Sequence, residues 1–163
     1  MFIPETRNVI LPAVMATLLT VSMPAFADTL TYRNDRFGTS VTFPAELFAE
    51  RLEPPQNGDG MTWVSDDGAS LAVYAFNNAL DASPEQLADQ ASERDEPGFE
   101  VTYRRVAKDW VVLSGFDAGA IFYTRFEFGA DNVIHGMLLK YPPSERATYD
   151  ALTGVIAGSL EGP

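Results

Sequence analysis

The sequence predicts an α+β fold, an antiparallel β-sheet meander flanked by helices, and three observations carry that reading. Short strand-like runs, one of them alternating and one apolar throughout, recur from Leu30 to Phe76, separated by turn residues. Four further strand-like runs follow one another from Phe99 to Tyr141 with only short turns between them. Two segments at 84–94 and 144–160 carry helix start signals or a 3.6-residue apolar stripe instead.

Leu30–Tyr32 and Thr39–Phe43 form the first strand pair around Asn34-Asp35-Arg36-Phe37-Gly38. Val41 and Phe43 alternate with Ser40 and Thr42, the period of a half-buried strand, and Pro44 closes it. Glu53–Gly60 is rich in Pro, Asn and Gly and has no period, so it is a loop. Met61–Ser65 and Ser70–Phe76 make a hairpin around Asp66-Asp67-Gly68. The run Leu71–Phe76 is apolar at every position, which predicts a strand covered on both faces.

Ser83-Pro84-Glu85-Gln86 opens a helix over Pro84–Arg94. Ser83 caps it, Gln86 completes a capping box, and Pro84 sits where its missing N–H does no harm. Only Leu87, Ala88 and Ala91 offer an apolar face, so this helix lies on the surface. Strands then run over Phe99–Val106, Trp110–Ser114, Ala120–Phe128 and Val133–Tyr141. Glycines at 58, 60, 115 and 119 read as turn glycines. A helix over Ser144–Leu160 presents Tyr149, Leu152, Ile156 and Leu160 on one side. A four-residue turn at Gly129–Asn132 sets Phe126 opposite His135, Thr124 opposite Met137 and Phe122 opposite Leu139. That face would receive the C-terminal helix. The other, with Tyr123, Arg125, Glu127, Ile134, Leu138 and Lys140, would be partly wet or lightly covered by the first helix.

Residues 1–27 read as an export signal: an apolar run from Val9 to Met23, then Pro24 and the small-x-small step Ala25-Phe26-Ala27. Cleavage after Ala27 leaves a single domain, 28–163, starting at Asp28. Arg7 is balanced by Glu5, so the usual positive flank is missing, and an uncleaved anchor is the rival reading. Spanning a bilayer takes about 20 apolar residues, and Pro12 and Pro24 interrupt this stretch first. With no cysteine to acylate, a lipoprotein anchor is excluded. The expected location is periplasmic or secreted, with no stable membrane anchor after cleavage.

Cleavage takes one acid and one base, so the net charge stays at −12. That balance opposes binding to nucleic acid or to anionic lipid, both of which reward clustered Lys and Arg. The absence of cysteine also removes disulfides, thiol catalysis and thiolate metal sites.

The order Phe37-Gly38-Thr39-Ser40-Val41-Thr42-Phe43-Pro44, Leu71-Ala72-Val73-Tyr74, Ser83-Pro84-Glu85-Gln86, Ile121-Phe122-Tyr123-Thr124 and Ala157-Gly158-Ser159-Leu160 resembles the PsbP-like family. That family includes the extrinsic photosystem II protein, its bacterial relatives and a small Ran-binding protein of the same fold. The resemblance covers nearly all of 28–163. It implies an α/β/α sandwich and a non-catalytic accessory role. The family's aromatic-Pro-x-x-Trp feature is not reproduced, and Phe48 stands in its place. Histidine-based metal contacts do not carry over to a chain with one histidine.

His135 is expected as a hydrogen-bonded core or rim histidine, because its chain neighbours supply neither an orienting carboxylate nor a nucleophile. Asn57-Gly58-Asp59-Gly60 with Asp66 and Asp67 invites a calcium reading. Aligned to an EF-hand, with Gly60 at the sixth position, it puts Pro55 at the first, where a carboxylate is required. Ordinary turns are the default for Asp59, Asp66 and Asp67, and no metal or cofactor is expected. Neither a Gly-x-Ser-x-Gly elbow nor a phosphate-binding Gly loop is present. The chosen binding surface is the amphipathic sheet face with Tyr123 and Arg125, residue types that favour contact sites. The resulting expectation is a monomeric, metal-free, exported binding or accessory domain with an envelope protein partner. A small-molecule or metal carrier and an envelope hydrolase are the alternatives.

Overall fold

The computed structural model describes residues 28–163; the signal sequence expected at 1–27, with Ala25 and Ala27, lies outside them. Strands run over Thr29–Arg33 (β1), Ser40–Pro44 (β2), Glu50–Arg51 (β3), Gly60–Val64 (β4) and Ser70–Asn77 (β5). Helix α1, Pro84–Ser92, follows. Then come Glu100–Val106 (β6), Trp110–Asp117 (β7), Ala120–Phe128 (β8), Val133–Tyr141 (β9) and helix α2, Arg146–Gly158. The predicted elements are present with shifts at their ends. The two-residue β3 is an addition, in a stretch where the sequence predicts no element.

Seven strands form one antiparallel sheet in the order β3-β4-β5-β9-β8-β7-β6. Two local meanders, β3–β5 and β6–β9, therefore join where β5 pairs with β9. The single sheet expected from the sequence is corrected in one respect, because β1 and β2 form a separate two-stranded ribbon. That ribbon is clipped to the end of α2. Ser40 and Glu161 exchange backbone hydrogen bonds at 2.8 and 3.0 Å, and Ser159 Oγ accepts from the Thr42 N–H at 2.9 Å. Bonded there, β2 serves the C-terminal segment instead of the main sheet.

Helix α1 begins as its sequence dictates, with Ser83 and Gln86 making both bonds of a capping box. Leu87 and Ala88 bury against Val111, Leu113, Phe122, Phe126 and Ile134. On the opposite face, α2 sets Tyr149, Leu152 and Ile156 onto Leu71, Val73, Met137, Leu139 and the ribbon's Val41 and Phe43. Phe48 joins this core, edge-on to Phe43. Strand β5 feeds both cores, as its unbroken apolar run requires: Leu71, Val73 and Ala75 are buried on the α2 side, while Tyr74 and Phe76 pack on the α1 side.

The β8–β9 register differs by one residue from the expected one. Phe126 lies opposite Gly136, Thr124 opposite Leu138 and Phe122 opposite Lys140. The cause is the connection. Asp131 and Asn132 both adopt left-handed backbone, with φ of 55° and 57°, and the first closing pair is Phe128 with Ile134, which leaves five residues in the loop. A one-residue slip exchanges the faces of a strand. Hence Ile134, Leu138 and Lys140 lie on the α1 side with Phe122 and Phe126, while His135, Met137 and Leu139 share the α2 side with Tyr123 and Arg125.

The β4–β5 turn is fastened to α2. The buried Tyr149 donates its hydroxyl to Asp67 at 2.9 and 3.0 Å. Burial alone would raise Asp67, but the bonds from Ser65, Tyr149 and Ala69 outweigh it and hold the carboxyl below its usual range. Burial pushes the Tyr149 phenol up to about 12. Replacing Tyr149 with Phe should cost about 1.5 kcal/mol, the value of a hydrogen bond to a charged group. A thermal melt followed by circular dichroism should then shift by about 3–6 °C. An unshifted melt would show that the bond contributes nothing net.

Candidate functional site

Helix α2 packs on β2, β8 and β9. The same sheet face at the β6–β7 edge carries exposed side chains instead: Tyr103 is 49% and Phe116 38% exposed. Cross-strand pairing builds a patch there. Tyr103 faces Ser114, which faces Tyr123; Arg105 faces Val112, which faces Arg125; Trp110 faces Glu127. The Arg105 and Arg125 guanidiniums both lie over the Trp110 ring, at 5.2 and 5.0 Å from its centroid. Arg125 also pairs with Glu127 at 2.5 Å. Burial pushes the Tyr123 phenol up, with Arg125 pulling the other way.

A β-bulge makes this arrangement. Between Val101 and Tyr103 the register of β6 on β7 shifts by one residue, so Tyr103 and Arg105 come onto the open face beside Tyr123 and Arg125. Arg104 is turned to the other side, where it pairs with Glu85 and Asp89 of α1 at 2.7 and 2.6 Å. The backbones approach closely at the bulge: a Cβ on Gly115 would fall 1.8 Å from the Glu100 carbonyl oxygen. Gly115 is thus a strand glycine, correcting its assignment to a turn. Isolated glycines inside strands mark such crossings, and reading Gly115 as one would have located the bulge.

Tyr123, Arg125 and Glu127 therefore stand together as expected, but with Tyr103, Arg105 and Trp110 as companions in place of Ile134, Leu138 and Lys140. The first helix does not cover them; it lies on the other side of the sheet.

His135 is 1% exposed. Its Nδ1 shares a 2.7 Å hydrogen bond with Thr39 Oγ1, and Nε2 has no partner among the described residues. Gly162 and Gly129 lie against the ring, where a Cβ on either would come within 2.4 Å of Nε2. Burial lowers its pKa, and the charge of Glu127 opposes that shift. A histidine beside a hydroxyl is part of an acyl-transfer site, but here Thr39 is fully buried and the Glu127 carboxylate is held by Arg125. The pair is a hydrogen-bonded element of the core, as expected for this residue.

Of the three acids considered for calcium, Asp59 is kept apart from Asp66 and Asp67. Asp59 precedes β4 and accepts from Asn57 Nδ2 at 2.5 Å, whereas Asp66 and Asp67 follow the far end of that extended strand. Asp67 is occupied by Ser65, Ala69 and Tyr149. Among the described residues, no helix is long and apolar enough to cross a membrane.

No family model matches the chain, and no curated protein matches it. A solved structure does. The solution structure of cyanobacterial PsbP (CyanoP) from Synechocystis sp. PCC 6803 aligns with a TM-score of 0.62, covering 90% of this chain and 99% of that one at 12% identity. The fold is PsbP-like. At this identity the likeness is one of architecture, and it agrees with the α+β sandwich expected from the sequence. On the PsbP-like framework, the aromatic and arginine patch occupies the β6–β7 edge of the sheet, beside the ground taken by α2.

Proposed function

We propose that this chain is an exported, non-catalytic accessory domain of the cell envelope, which recognises a protein partner through the open face of β6, β7 and β8. The observation that carries this reading is Trp110 lying under two arginines, with Tyr103 and Tyr123 on the adjoining strands, in a protein of net charge −12. Trp, Tyr and Arg are the residues in which binding energy concentrates at protein interfaces. Stacked guanidiniums have already given up part of their freedom, so less is lost when a partner orders them. The PsbP-like architecture agrees with an accessory role. The signal-like residues 1–27 supply the route out, and the mature N-terminus is Asp28.

Crosslinking the tagged protein in its own envelope, followed by mass spectrometry, tests both parts. One protein should be captured reproducibly, and Trp110→Ala and Arg125→Glu should each reduce its yield by about tenfold or more, the effect of losing a central anchor. Capture that is equally strong with both variants would overturn the choice of face. A mature protein that begins at Met1 would overturn cleavage. Small-ligand carriage, the second reading, draws support from a different place, at the opposite edge of the sheet.

A further inference from the structure

Three of the chain's eleven basic residues, Arg33, Arg36 and Arg51, line one cleft of about 450 Å³. It lies between the β1–β2 turn and the loop that leads into β4, with Tyr32, Asn34 and Gly58 among its walls. Acids outnumber bases about two to one in this sequence, so a gathering of arginines runs against the composition. Among the described residues, no carboxylate lies within ion-pair distance of any of the three, although Asp35 also lines the cleft. The remaining ion pairs use Arg104, Arg125 and Lys140.

The cleft is held open by its own framework. Asn34 is 4% exposed. Its Oδ1 accepts from the backbone N–H groups of Arg36 and Phe37 at 3.0 and 2.8 Å, which fixes the turn. Its Nδ2 donates to the Gly58 carbonyl at 2.9 Å and ties that turn to the facing loop. Arg36 adds a second tie, donating to the Asn57 carbonyl at 2.7 Å. Tyr32 Oη accepts from Asn34 at 3.3 Å and keeps its own proton to donate. A side chain on Gly58 would meet nothing within 4 Å, so that wall is bare backbone. The walls thus combine cationic forks, a hydroxyl donor and rigid lips.

We infer that this cleft binds a small polyanion, a ligand with two or more negative charges carried on phosphate or carboxylate groups. Guanidinium forks match the paired oxygens of either group. Three unpaired cations around one space repel one another until an anion enters. The site is independent of the partner-binding face: it lies at the β3–β4 edge of the sheet, whereas Trp110 and Arg125 lie toward the β6 edge.

Calorimetric titration of the purified protein with pyrophosphate, citrate and inorganic phosphate, at constant ionic strength set with chloride, provides the test. Saturable binding of pyrophosphate or citrate is expected with a dissociation constant below about 1 mM. Preference between them assigns the ligand to phosphate or to carboxylate chemistry. Arg33→Gln and Arg51→Gln should each weaken binding by about tenfold and leave the ligand-free melting temperature in place, because both side chains are exposed, where solvent screens their mutual repulsion, neither makes an ion pair, and Arg51 loses only its 3.1 Å contact with Met61 Sδ. Lys108→Gln, an exposed cation in the β6–β7 turn, should leave affinity unchanged. The inference is overturned if neither pyrophosphate nor citrate saturates, if both arginine variants bind as tightly as the natural protein, or if Lys108→Gln weakens binding equally. Trp110→Ala should reduce partner capture by about tenfold or more without altering these titrations, so the two sites can fail separately.

Discussion

Replacing Gly115 with valine should destabilise the protein by about 3 kcal/mol, the upper range for forcing extra atoms into a packed site. For a chain of this size that is a fall of about 6–12 °C in melting temperature. The added Cβ would meet backbone, at 1.8 Å from Glu100 O, 2.9 Å from Glu100 C and 3.0 Å from Thr102 N, so no rotamer change relieves it. Either β6 separates from β7 or the bulge is lost, and both outcomes displace Tyr103 and Arg105 from the open face. Gly154→Ala is the matched control. It lies in α2 with nothing within 4 Å of the added atom, and should raise stability by about 0.5–1 kcal/mol through helix propensity. A Gly115→Val protein that melts with the natural one would refute the close strand crossing.

Acidification should destabilise the fold through His135, the chain's one histidine. Burial depresses its folded pKa below the unfolded value near 6.5. The unfolded chain therefore takes up the proton first. Stability is complete above the unfolded pKa and is lost as pH falls toward the folded one, with a limiting slope of about 1.4 kcal/mol per pH unit. Glu127 on the neighbouring strand softens the effect, and Arg36 and Asp131 line the cavity beside the ring. Histidine is the one side chain whose ordinary pKa falls between about pH 5 and 8, so the difference between the natural protein and His135→Gln across that range isolates it. The slope should flatten in His135→Gln. A histidine ring signal that titrates at the ordinary value in the natural protein, or an unchanged slope in the variant, would refute the buried neutral imidazole.

Much of this architecture was legible in local sequence, because local chemistry decided it. Ser83 and Gln86 announced α1, Tyr149, Leu152 and Ile156 gave the inward stripe of α2, and Leu71–Phe76 declared a strand between two layers. What escaped depended on one residue more or less. Two left-handed residues, Asp131 and Asn132, added a position to the β8–β9 loop and exchanged the faces of β9. Thr102, extra at the bulge, did the same within β6. Tyr123 and Arg125 share a face in either register because both belong to β8. Trp110, Tyr103 and Arg105 reach them only through pairing with β7 and the bulge, which periodicity within one strand does not encode. The arginine cleft was further from reach, since Arg33 and Arg51 come to line one cleft across a separation that no local pattern spans.

Because β5 and β9 supply the one junction between the meanders, folding of the main sheet is gated by a single zippering event. Either half can assemble from neighbours in sequence, whereas the junction must close over α1 and three intervening strands before its contacts repay the lost chain freedom. A chain emerging N-terminus first would hold β5 with an open, apolar border until β9 arrived. That interval is when unpaired strand borders invite association with the wrong chain.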